Sequence, residues 1–97
     1  MKQEEYSLEY GNKLLSEFIG REASYDNDIS ALWEVVLKID SHCFIVQINS
    51  ANTLICDKDH RFDYNALTRI KACWGACVLY VEWFNSLENP DHSKLFR

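Results

Sequence analysis

The feature that most constrains the fold lies near the C-terminus. There Leu67, Ile70, Cys73, Trp74, Cys77, Val78, Val81 and Phe84 recur at the helical period, and Tyr80 and Trp83 widen the stripe. A helix apolar around most of its circumference must be surrounded, so it is the centre of a domain or part of an interface. Its most apolar run, residues 72–84, is about half a membrane span and is broken by Glu82, so no membrane partner is expected. The helix is expected to begin between Asp63 and Thr68, to run to about Leu87 and to stop before Pro90. Residues 89–97 then form a flexible tail.

The rest of the chain must cover that helix. Asn12 has the chemistry of an N-cap, Leu14, Leu15, Phe18 and Ile19 follow at helical spacing, and Gly20 suits a left-handed helix end. A short helix is therefore expected over residues 12–20, preceded by residues 1–11 as an acidic arm or frayed helix. Asp28 or Ser30 caps a second helix through about Ser41. On it Ile29, Leu32, Trp33, Val36, Leu37 and Ile39 occupy one broad face, and Glu34 and Lys38 form a favourable i,i+4 pair.

From Cys43 the period becomes two: Phe44, Val46 and Ile48 alternate with Ile45 and Gln47, and β-branched residues dominate. Residues 49–52 carry turn formers, and residues 53–56 read as the returning strand. His60, Arg61 and Phe62 are candidates for a short third strand within an otherwise polar loop. The expected fold class is α+β, helix–helix–β-hairpin–long helix, with helices packed on a small antiparallel sheet and residues 12–88 forming one domain. A two-stranded hairpin is marginal alone, so pairing with a second copy, through the hairpin edge or the last helix, is one way to complete it.

Charge narrows the function classes. The net charge is −5, and residues 1–34 carry eight acids against three bases. No basic cluster exists to neutralise phosphates, so duplex nucleic acid is not an expected partner. Met1 to Glu5 lead into no apolar run of the kind an export signal carries, and four cysteines without such a signal read as reduced thiols; a cytoplasmic location is expected.

No arrangement carries catalytic chemistry. Cys43, Cys56, Cys73 and Cys77 lack the C-x2-C knuckle of structural zinc sites, and Cys73 and Cys77 lie inside the apolar stripe as small hydrophobes. Asp57, Asp59, His60 and Asp63 gather metal-compatible groups, but the Gly and terminal Glu of a calcium loop are missing. His42, His60 and His92 share no spacing with a nucleophile. The expectation is a non-enzymatic protein without a cofactor. A metal-dependent hydrolase using Asp57, Asp59 and His60 has least support.

Residues 68–85 resemble the closing helix of a family of small uncharacterised proteins from Bacteroidetes and their phages. The matching positions are Ile70, Ala72, Trp74 and the run Tyr80, Val81, Glu82, Trp83, Phe84, Asn85. Residues 12–20 are similar to that family's opening Asn-Lys-Leu-Ile-Ala-Glu-Phe-Met-Gly segment, and residues 32–39 to its Leu-x-x-Val-Val-x-Lys-Ile segment. The family in turn resembles phage domains described as α–β–α sandwiches. The resemblance implies a phage or prophage accessory setting and no established chemistry.

Two functions follow as expectations. The first is binding of a protein partner of unknown identity, or of a second copy, through an exposed aromatic patch. The second is sequestration of a nucleotide-like ligand by aromatic stacking and a cation. Trp33, Arg61, Arg69 and Trp83 are the candidate binding residues, with Lys71 as a further cation.

Overall fold

The structure, a computed structural model, describes residues 6–87. The expected element order is present: helices α1 (Leu8–Ile19) and α2 (Ile29–Ser41), strands β1 (Ile45–Ile48), β2 (Asn52–Cys56) and β3 (Arg61–Asn65), then the long helix α3 (Arg69–Leu87). The expected tail over residues 89–97 lies outside the described residues.

α1 starts a turn earlier than expected. Its N-cap is Ser7, whose hydroxyl accepts the amide of Tyr10 at 3.1 Å, and not Asn12. Residues 8–11 are thus helical and not part of an arm. Gly11 explains the discrepancy: glycine inside a helix is unfavourable by propensity, yet here the Trp74 ring lies directly against it. The helix ends as expected at Gly20, with φ 89° and its amide bonded to Ser16 O at 2.7 Å.

α2 is capped by Asp28, whose carboxylate accepts the amides of Ser30 and Ala31. Its buried face is Ala31, Leu32, Val35, Val36 and Ile39, narrower than the expected broad stripe. Ile29, Trp33 and Leu37 lie outside it and are exposed. The expected Glu34–Lys38 pair does not form either. Glu34 pairs with Arg21 at 2.9 Å, while Lys38 donates to Phe18 O at 2.5 Å, satisfying a carbonyl at the end of α1.

The sheet has three antiparallel strands in the order β1-β2-β3. The third strand runs three residues further than the His60–Phe62 suggestion reaches, because Asp63, Tyr64 and Asn65 pair with Leu54, Thr53 and Asn52. Val46, Ile55 and Phe62 align across the strands on one face, and Ile48, Thr53 and Tyr64 beside them. That face packs on α3.

α3 touches all three strands and both other helices, whereas α1 makes no packing contact with the sheet. It therefore stands between the sheet and α1, with nine of its residues buried, from Ala72 to Val81. A helix in that position needs an apolar surface on both sides, which is why its sequence is apolar nearly all round. Among the described residues the sheet's other face, with Ile45, Gln47, Arg61 and Asp63, meets no helix. α3 separates α1 from the sheet while α2 packs on both α3 and β1, so among the described residues all helices lie on one side of the sheet and it is not the middle layer of a sandwich. No described helix is long and apolar enough to cross a membrane.

Candidate functional site: an apolar groove beside α2

Ile29, Trp33 and Leu37 follow one another at four-residue spacing along α2, the spacing that keeps side chains on one ridge. They are 64%, 51% and 52% exposed, respectively, although each is a large hydrophobe. Beside this ridge runs a groove of about 190 Å³. Ile29, Leu32, Trp33 and Val36 form one wall, and Arg69, Ile70 and Cys73 of α3 the other, with Ile48 of β1 between. Its lining surface is wholly apolar, Arg69 contributing through its aliphatic stem. Ridge and groove together form a contiguous exposed apolar surface.

The two helices that build the groove are held together at its far end. His42 Nδ1 lies 2.6 Å from the Tyr80 hydroxyl, and the His42 ring stacks on Phe84 at 5.1 Å between centroids. α2 and α3 thus run in the same sense, which brings Arg69 to the Ile29 end of the ridge. Burial disfavours the phenolate of Tyr80, and the Asp57 carboxylate adds to this, so its pKa is pushed up to about 12.

Of the four sequence-predicted binding residues, the structure brings together two. Trp33 and Arg69 share the groove. Trp83 instead joins a ring cluster under the sheet, 4.6 Å from His60, 5.5 Å from Phe62 and 5.7 Å from Phe44. Arg61 points from the opposite sheet face, where it lies 3.5 Å from Asp63. Ile29 and Leu37, which share the expected broad face of α2 with Leu32, Val36 and Ile39, lie on the surface. The available signal was that apolar residues on α2 span a wider arc than a helix packed on one side requires.

The other polar clusters have structural work. One Asp57 oxygen accepts the amides of Asp59 and His60 at 2.8 and 2.6 Å, closing the β2–β3 turn. Burial alone would raise the Asp57 pKa, but these hydrogen bonds outweigh it and hold the carboxylate below its ordinary range. Asp63 is drawn away to Asn52 on the sheet. Cys73 and Cys77 are free and buried; their mutual hydrogen bond lowers Cys73 and, together with burial, pushes Cys77 well up. Among the described residues no three His, Cys, Asp or Glu side chains gather as a metal site.

Two wider depressions exist, of about 730 Å³ beside α1 and about 560 Å³ near Tyr64 and Lys71. The first is lined by charged side chains such as Glu9, Lys13, Glu17 and Glu22. No protein-family model, no curated protein and no solved structure matches this chain.

Proposed function

We propose that this protein is a non-enzymatic binding module that acts by holding another polypeptide against α2. The observation that carries this reading is the exposed ridge Ile29–Trp33–Leu37 with the apolar groove at its side. An exposed Trp between two aliphatic residues supplies the aromatic anchor typical of the energetic centre of protein interfaces. The accessory role in a phage or prophage rests on the resemblance of residues 12–20, 32–39 and 68–85 alone.

Sequestration of a nucleotide-like ligand has less behind it. The groove's volume of about 190 Å³ is below the roughly 300–1,000 Å³ of pockets that enclose small ligands. Arg61 and Trp83 do not face it.

Site-specific photo-crosslinking tests the proposal. A photoreactive residue at Leu37, in cells making the protein, is expected to give covalent adducts with a polypeptide, of whatever identity. The same residue at Lys58, exposed in the β2–β3 turn, is expected to give none. Absence of adducts from Leu37 would overturn the reading.

A further inference from the structure

The geometry points to a second copy of this chain as the polypeptide that covers the ridge, with the two α2 helices crossing antiparallel about a twofold axis at Trp33. This inference rests on the binding role proposed above and names its partner.

Charge complementarity singles out that occupant. Most charged side chains around α2 are already committed within the monomer. Asp28 caps its own helix, Glu34 pairs with Arg21, and Lys38 is turned towards Phe18. Arg69 and Asp40 are exposed and form no ion pair with any described residue. Arg69 stands at the Ile29 end of the ridge. Asp40 lies three turns beyond Ile29, which returns it to within about 20° of Ile29 around the helix, on the ridge itself. An apolar ridge thus carries an uncompensated cation at one end and an uncompensated anion at the other.

That pattern is complementary to itself when reversed. In an antiparallel crossing, Ile29 meets the second copy's Leu37, Trp33 meets its counterpart at the axis, and Arg69 meets the second copy's Asp40. The twofold repeats each contact, so the interface closes without leaving a ridge free. Residues four apart on both helices interdigitate in the commonest helix-packing class. A parallel crossing would set Asp40 against Asp40 and leave Arg69 unanswered.

Sedimentation equilibrium on the full chain tests this, at about 100 μM, above the micromolar dissociation constants at the weak end of standard interfaces. The wild type is expected at twice the monomer mass. Trp33→Glu and Leu37→Lys should each give monomers with unchanged circular dichroism, since both positions are surface. Asp40→Arg and Arg69→Glu should each weaken the dimer about tenfold, and the double swap should restore it. A monomeric wild type overturns the inference, as does a dimer that Trp33→Glu leaves intact or a double swap as weak as either single. Crosslinks from Leu37 to other proteins alone, with a monomeric wild type, would remove the second copy as occupant while leaving the binding role standing.

Discussion

Trp74 lies against Gly11 so closely that a Cβ built on Gly11 would stand 2.2 Å from its Cζ2 atom. The same indole donates its N–H to Asn12 Oδ1 at 3.0 Å, and Asn12 Nδ2 donates to Asp26 at 2.8 Å. One turn of α1 therefore both makes room for the largest buried side chain and satisfies its polar atom.

Gly11→Ala is expected to destabilise the fold. Alanine would favour the helix by roughly 0.5–1 kcal/mol, but the buried Trp74 ring would have to shift out of its packed position. Overpacking of this kind costs about 1–3 kcal/mol, so the steric effect wins. Gly75→Ala, where a Cβ would stand 2.1 Å from the Tyr64 ring, should behave alike. Urea denaturation reads both, and an unchanged midpoint would contradict the close approach.

Asn12→Leu should leave the Trp74 N–H buried without an acceptor. The expected loss is about 1–3 kcal/mol, accompanied by a change in tryptophan emission as the indole loses its partner. Asn12→Ser, which keeps an oxygen but cannot reach as far, should fall between.

Thr53 offers the opposite case. It is fully buried under the sheet, and its hydroxyl has no hydrogen-bond partner among the described residues. Thr53→Val keeps the shape and removes the unsatisfied group, so a gain of about 1 kcal/mol is expected. A loss on denaturation would show that the hydroxyl is satisfied in solution.

Cys43 follows α2 with φ 70°, a left-handed conformation that costs a residue with a Cβ about 1–2 kcal/mol. Its side chain is exposed, so replacing it forfeits little packing. Cys43→Gly relieves the strain but makes the unfolded chain freer by about 0.4–1 kcal/mol. The net expectation is a gain of roughly half to one kcal/mol, whereas Cys43→Val should destabilise.

Tyr80 sets an alkaline limit. Its pKa is raised to about 12 in the folded protein, against roughly 10 in an unfolded chain. The folded state therefore holds the proton more tightly, and this contribution is complete below pH 10 and is lost as pH rises towards 12. Absorbance at 295 nm should show a late-titrating tyrosine that Tyr80→Phe removes. The variant's stability should also fall less steeply across that window.

Much of this architecture is legible in the sequence because it depends on local rules. Asp28 and Gly20 mark helix ends through their own hydrogen-bonding and φ preferences. The alternation of Phe44, Val46 and Ile48 fixes a strand face. The apolar circumference from Ala72 to Phe84 announces a central helix before any partner is known. What remained for the tertiary structure was what stands opposite each side chain. Periodicity tells which residues share a face and not whether that face is covered, so it sets Ile29, Trp33 and Leu37 on one stripe with Leu32, Val36 and Ile39, whereas α1, β1 and α3 cover only the adjacent arc of α2. Asn12 reads as a helix boundary because capping preference is local, while the Trp74 ring that packs on Gly11 and donates to Asn12 comes from more than sixty residues away. Trp33 and Arg69 became one site, and Arg61 and Trp83 did not, because only the packing of α2 along α3 decides which exposed groups are neighbours.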